Sequence, residues 1–322
     1  MRIIALLPVR NEAWVLAQSL ACLAGFCDAV LVSDEGSEDA SRDVCGRFPN
    51  VVLLQSRDRR ICEQARWALL DAARSYDGNN LIWCTDADEL LSARLARRVL
   101  VESADRLVPG TAIQCPFYHL WDGIDRYRDD YSLYRPQQKL LAFVDDRRSD
   151  YDRSPALPLH QLRVPAGPES PIVHSDIPVF HLQWLLTNRN QMKQAWYRCR
   201  EWMNGGRTAA DINAQYAITL LPARVKTTHV PPAWVEGVTF PDLAIDREPC
   251  WQERDVLAWL EQRGPGFFEP LEIWHLPTLR QAFRRRMGRS PRCDRSYLPP
   301  LTARVGQFAR RVVSAGRRRI AL

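Results

Sequence analysis

Leu81-Ile82-Trp83-Cys84-Thr85-Asp86-Ala87-Asp88-Glu89 decides how this chain reads. It opens as a short apolar run and closes in three acids. An apolar run of that length, bounded by Gly78-Asn79-Asn80 and by charge, predicts a buried strand. In an α/β sheet, ligands gather just beyond the carboxyl ends of the strands. Asp86 and Asp88 are two residues apart, so extended backbone would send both carboxylates to one side. Two such groups repel unless a cation sits between them. Oxygen ligands without thiolates suit Mg²⁺ or Mn²⁺, which share the phosphates of a substrate. The stretch predicts a metal–diphosphate site; a solvated acidic loop after a strand is the plainer alternative.

Upstream, the chain alternates strand and helix. Residues 3–7 predict a first strand, broken by Pro8-Val9-Arg10-Asn11-Glu12, and a helix follows with Val15, Leu16, Leu20 and Leu23 on one face. A second strand, 29–32, ends in Ser33-Asp34-Glu35-Gly36-Ser37. Ser37 is placed to cap a helix running to about residue 48. A third strand at 51–54 and an amphipathic helix at 61–76 lead into the acidic stretch. Strand and helix alternate through four strands in about 90 residues, which implies a doubly wound, mostly parallel sheet. Arg10-Asn11-Glu12, Asp34 to Ser37 and Asp86 to Asp88 then all fall on one edge of that sheet, the layout of a nucleotide site. No Gly-x-Gly-x-x-Gly follows the first strand and no Gly-x-x-x-x-Gly-Lys occurs, which argues against dinucleotide oxidoreductases and P-loop enzymes.

The whole chain sets further bounds. Its 322 residues suffice for a large core, and no apolar run approaches the ~20 residues that span a bilayer. The N-terminus resembles a short signal peptide, but Arg10, Asn11 and Glu12 end the apolar segment early, so we expect a cytoplasmic protein. Nine cysteines without a Cys-x-x-Cys pair fit reduced core thiols, Cys22, Cys84 and Cys115 among them. The net charge of +6 belongs to the end of the chain: thirteen Arg and one Asp fall in 280–322, leaving an excess of acids in the body before it.

Leu7-Pro8-Val9-Arg10-Asn11-Glu12, Val32 to Asp39 and Thr85-Asp86-Ala87-Asp88-Glu89 together resemble the three landmarks of family 2 glycosyltransferases, the inverting GT-A type, across about the first 120 residues. The resemblance implies a GT-A fold and a sugar donor activated by a nucleoside diphosphate. By that likeness Pro8, Arg10 and Glu12 sit near the nucleotide and Asp34 contacts base or ribose. Asp86 then faces ribose or metal, and Asp88 ligates Mn²⁺ or Mg²⁺. Arg66 resembles the arginine of the family's Ala-Arg-Asn segment near the donor, although Trp67 stands where Asn is usual and Glu35 where a second Asp is common.

Further along, His119 to Asp130 is aromatic and charged, where such enzymes place acceptor elements. Trp121, Tyr127, Tyr131 and Tyr134 are candidates for stacking on sugar rings, with core packing as the alternative. Inversion by direct displacement needs a carboxylate to take the acceptor's proton; Asp122 and Asp125 are the candidates. A short strand at 179–182 carries His181, ahead of a helix at 189–203 with Lys193, Tyr197 and Arg200. This resembles the family's His-bearing segment and makes His181 a third candidate metal ligand, with His174 behind it.

The expected division is a catalytic GT-A domain over 1–204, a mainly helical extension over 205–279 packing on it, and an Arg-rich tail over 280–322. The tail suits an anionic membrane surface, so a peripheral location at the inner face of the membrane is expected. It lacks the aromatic interleaving of a single-strand binder, and no specific nucleic acid partner is expected. The function expected is metal-dependent, inverting sugar transfer to a glycan or lipid-linked acceptor. A sugar-phosphate nucleotidyltransferase is one rival, though it would carry a Gly-rich loop after the first strand. A non-catalytic nucleotide-sugar-binding module is the other.

Overall fold

The structure is a computed structural model and describes residues 1–55, 62–130, 134–153, 163–165, 169–216 and 225–292. The chain divides into two compact units, one of residues 1–185 with 225–243 and one of 186–224 with 244–322.

The first unit is α/β. Its strands and helices run β1 (Ile3–Val9), α1 (Ala13–Ala24), β2 (Ala29–Asp34), α2 (Ser41–Cys45), β3 (Val51–Gln55), α3 (Cys62–Ala73), β4 (Leu81–Cys84), β5 (Glu89–Leu90), α4 (Ala93–Glu102), β6 (Ala112–His119), β7 (Arg126–Arg128), β8 (Gln137–Val144), β9 (Ile172–His174) and β10 (Val179–His181). β11 (Thr227–His229) pairs antiparallel with β7 in a small second sheet. Among the described residues the main sheet has nine strands in the order β3-β2-β1-β4-β8-β6-β10-β5, with β9 also on β6. It is mostly parallel; β8 runs against both β4 and β6, and β5 runs against β10.

Alternation along the strands explains the layers. Ala5, Leu7, Val30, Val32, Leu81 and Trp83 face one core together with Val15, Leu16 and Leu20 of α1. Their neighbours Ile4, Leu6, Leu31, Ile82 and Cys84 face the opposite core with Leu69 and Leu70 of α3. Strands covered on both faces read as continuous apolar runs, which is why β1, β2 and β4 were visible in the sequence.

Of the boundaries that differ from expectation, two have a visible physical cause. β1 does not stop at Leu7 but continues through Pro8 to Val9, with Pro8 beside Ser33 in the ladder to β2. The ladder between β1 and β4 ends at Leu6 and Cys84, and Thr85 N donates to Leu6 O. By alternation the missing N–H of Pro8 points to that vacated side and costs no ladder bond. α2 is shorter than predicted because the residues before it serve another loop. Ser37 Oγ accepts from Asn11 N (2.9 Å), Asp39 Oδ2 from Ala13 N (3.0 Å) and Ser41 Oγ from Glu12 N (3.0 Å). Three successive amides leading into α1 are thus satisfied by the loop after β2 and by Ser41, the first residue of α2.

The second unit is helical: α5 (Thr187–Asn204), α6 (Ala209–Tyr216), α7 (Trp251–Arg263) and α8 (Pro277–Met287) enclose their own core of Trp196, Cys199, Phe268, Trp274 and Phe283. Of the Arg-rich tail, α8 is described and everything beyond 292 lies outside the described residues. Among the described residues no helix is long and apolar enough to cross a membrane. Cys22, Cys84 and Cys115 are free and buried, as are Cys27, Cys45, Cys199 and Cys250.

Candidate functional site

Strand order reverses between β1 and β4: β2 and β3 extend the sheet to one side of β1, and β4 opens the other. A crevice outside the carboxyl ends of the strands at such a point is where open α/β sheets hold ligands. The loops after β1, β2 and β4 all leave from this edge. Asn11, at φ 55°, joins the first two: its N–H donates to Ser37 Oγ and its Oδ1 accepts from Glu38 N at 2.7 Å. Asn tolerates this left-handed conformation better than most side chains. Glu12 starts α1 through its carbonyl, and its carboxylate accepts from Trp14 Nε1 at 2.7 Å. Asp34 ends β2 and is almost wholly buried, accepting from Ser37 N (3.1 Å) and from Arg42 Nε. Pro8 is buried in β1 and Arg10 half-buried in the loop beyond it.

The acidic stretch is not extended after Thr85. A turn closes through Glu89 N donating to Asp86 O at 3.1 Å, so Asp86 and Asp88 take different partners. Asp86 Oδ1 accepts from Arg66 Nη2 and Oδ2 from Arg163 Nη2, both at 2.5 Å. Burial alone would raise the Asp86 pKa, but the guanidinium groups of Arg163 and Arg66 outweigh it and hold the carboxyl below its ordinary value. Glu89 is buried in β5; its Oε2 accepts from Arg163 Nη1 (2.6 Å), Asp86 N (3.0 Å) and Thr85 Oγ1 (3.1 Å). Tyr151 fixes Arg163 from behind, its hydroxyl donating to Arg163 O at 2.8 Å.

Sheet register delivers the histidines. β10 lies between β6 and β5, so His181 is opposite His119 on one side and Glu89 on the other. His181 Nε2 lies 3.2 Å from Asp88 Oδ2, and His181 Nδ1 lies 3.0 Å from His119 Nδ1. Burial, then His181 and Lys139, hold the His119 pKa well below the ordinary imidazole value. Lys139 of β8 completes the group. Its Nζ sits 3.5 Å from the centroid of the Phe117 ring, and burial, then Arg163, push its pKa down to about 8.

The structure therefore brings Asp86, Asp88, Arg66 and His181 into one neighbourhood, with Glu12 and Asp34 on the same sheet edge. It does not assemble Asp86, Asp88 and His181 as one donor set. Both Asp86 oxygens already carry a guanidinium, which leaves Asp88 and His181 as a pair. Among the described residues no three His, Cys, Asp or Glu side chains are grouped to hold a metal ion. As placed among the described residues, Asp86, Asp88 and His181 do not by themselves form an Mn²⁺ or Mg²⁺ site. His174 is on β9, at the other end of β6, beside Gln114.

Asp122 and Asp125 lie on an exposed turn after β6. Asp122 has φ 58°, and Asp125 Oδ2 lies 3.4 Å from His229 Nδ1. Trp121 stacks on Trp184 (4.8 Å between centroids, 24° between planes) with the Arg128 guanidinium 4.5 Å from its ring. Tyr134 meets the same Trp184 edge-on at 4.3 Å, and Tyr127 packs on Tyr118. The rings proposed for sugar stacking pack on other aromatic side chains of the protein, Trp121 and Tyr134 on Trp184 and Tyr127 on Tyr118 and Trp234; Tyr131 lies outside the described residues. Lys193, Tyr197 and Arg200 belong to α5 of the second unit. Sequence reading missed Arg163 and Lys139. Arg163 stands in a stretch without periodicity, and Lys139 is an ordinary-looking cation in a strand.

No family model matches the chain. Uncharacterized proteins of Mycobacterium tuberculosis and Mycobacterium bovis are each 31% identical to it over 130 residues. The match covers 38% of this chain, which spans only 31% of the length of those relatives. Among solved structures, TarS of S. aureus is similar over 91% of this chain and 94% of the compared fragment, at 11% identity and a TM-score of 0.36. 4-Diphosphocytidyl-2C-methyl-D-erythritol synthase is similar over 44% of this chain and 75% of its own, at 17% identity and a TM-score of 0.32.

Proposed function

We propose that the first unit is a glycosyltransferase taking a sugar from a nucleoside-diphosphate donor to a glycan or lipid-linked acceptor, with inversion at the anomeric carbon. The observation that carries this is the convergence of three polar loops on one sheet edge at the β1/β4 reversal, with Asn11 hydrogen-bonded across two of them. In this reading Asp34 takes base or ribose, and Pro8, Arg10 and Glu12 line the nucleotide. Arg66 and the Asp86 turn meet the diphosphate. The acceptor oxygen attacks the anomeric carbon, the bond from that carbon to the diphosphate oxygen breaks, and its electron pair leaves with the nucleoside diphosphate. A carboxylate takes the hydroxyl proton, and Asp122 or Asp125 on the turn after β6 is assigned that part.

A nucleotidyltransferase would share the sheet and the acids. The loop after β1 favours the transferase of sugars: it has no Gly-rich cradle, and its amides are occupied by Ser37, Asp39 and Ser41. The test is calorimetric titration with UDP-, GDP-, CDP- and dTDP-sugars. One of them should bind wild type, and Asp34→Ala should weaken it by about tenfold or more. A chain that binds none of them, or that releases pyrophosphate from a nucleoside triphosphate and a sugar phosphate, is not the enzyme proposed.

A further inference from the structure

We propose that Arg163 and Lys139, with Arg66, take the diphosphate of the donor and neutralise it in place of a divalent ion, Asp86 and Glu89 holding the two arginines until the donor arrives. The proposal rests on the glycosyltransferase reading. It starts from the mismatch between the acidic motif and the donor set that the fold builds from it.

The turn at Ala87-Asp88 spends Asp86 on two guanidinium groups, so the first acid of the motif acts as an anchor for cations. Arg163 is gripped at both ends of its fork, Nη1 on Glu89 and Nη2 on Asp86. A planar fork held by two carboxylates has the geometry that also fits two phosphate oxygens. Arg66 is almost wholly buried and approaches Asp86 from the α3 side.

Lys139 is the third cation, and its setting is unlike that of the arginines. Its ammonium rests on the Phe117 face; among the described residues no salt bridge ties it to an acid, and Glu89, Asp86 and Asp88 act on it only through space. The same ring has Arg163 at 5.9 Å, His119 at 5.3 Å and His181 at 5.6 Å from its centroid. Phe117 is thus a floor around which positive and imidazole groups gather. Removing a lysine side chain from water without a hydrogen-bonded acid is costly, and an anion that arrives with the substrate offsets part of that cost. A diphosphate reaching this edge of the sheet would meet three cations on preset supports. As the sugar–oxygen bond breaks, the charge that grows on the leaving diphosphate develops against groups already in place.

Calorimetric titration with UDP, GDP, CDP and dTDP, in EDTA and again in Mn²⁺, decides the matter. One of the four should bind in EDTA, within about threefold of its affinity in Mn²⁺. Lys139→Met and Arg163→Met should each weaken it by about tenfold or more, while Lys139→Arg keeps it. The nucleoside that lacks the diphosphate should bind wild type and both Met variants alike, which a merely structural role for these side chains would not produce. Binding that needs Mn²⁺, or Met variants that lose nucleoside and nucleoside diphosphate equally, would overturn the proposal. Absence of binding in both buffers would instead sink the glycosyltransferase reading, and the proposal with it.

Discussion

Asp86→Asn isolates the charge at the centre of the site. Each oxygen of Asp86 receives one guanidinium at 2.5 Å, from Arg66 and from Arg163. Removing one partner of a buried ion pair costs about 3–5 kcal/mol. The Asp86 side chain is 29% exposed, and Asn keeps one acceptor, so about 2 kcal/mol is the fitting figure here. For a unit of about 200 residues, 1 kcal/mol moves Tm by about 2–4 °C. The melting transition should therefore fall by roughly 4–8 °C at neutral pH. Burial works against the Asp86 charge, yet Arg163 and Arg66 keep its folded pKa below the unfolded one. A depressed carboxyl pKa gives stability that is complete above the unfolded value and is lost as pH falls through the folded value. The gap between wild type and Asp86→Asn should thus be full at neutral pH and close in acid. Circular-dichroism melts at both conditions measure it, and added pyrophosphate should restore part of the loss by supplying the missing charge. Equal melting temperatures at neutral pH, or a gap that stays constant into acid, would refute the placement of that carboxylate between the two arginines.

Asn11→Ala should lower stability by about 2 kcal/mol, from the left-handed backbone and the lost bond to Glu38 N, and should weaken nucleotide-sugar binding as well; urea midpoints and calorimetry read the two effects. Gly25→Ala would set a Cβ 2.5 Å from Ala93 Cβ, so the urea midpoint should drop by the equivalent of about 1–3 kcal/mol. Ser92→Ala removes the N-cap of α4, where Ser92 Oγ accepts from Leu95 N and donates to Glu236 O at 2.8 Å, at a cost of about 1 kcal/mol in the same assay. Nucleoside diphosphate affinity should decline as pH rises through about 8, where Lys139 gives up its proton, and Lys139→Met should flatten that profile.

The part of the fold that was legible is the part governed by local pattern. β1, β2, β3 and β4 are short apolar runs punctuated by Gly, Asn and charge, and their order in the chain is enough to imply parallel pairing. Pairing after β4 was not legible. β8 inserts between β4 and β6, and a two-residue strand, Glu89–Leu90, closes the far edge on β10. Strand choice there depends on long-range register, which no window of sequence carries. The Ser37 cap failed for a related reason. A serine before a helix can serve that helix or a neighbouring loop, and Asn11, 26 residues earlier, took it.

The site divides along the same line. Each acid of the motif was found, since an acid after an apolar strand is conspicuous; what the acids do was set by residues far away in sequence. Arg163 reaches Asp86 across 77 positions, and Arg66 across 20. Had those guanidinium groups been absent, two carboxylates in a buried turn would have needed an ion to coexist. With them present, the turn is compensated by the protein itself, and Lys139, on the face of Phe117, is the cation of the group that no salt bridge ties to an acid among the described residues. The first acid of the motif that signals a bound cation in the sequence is, in the fold, the seat of two fixed guanidinium groups. The metal dependence of donor binding is the property on which those two readings of the same residues diverge.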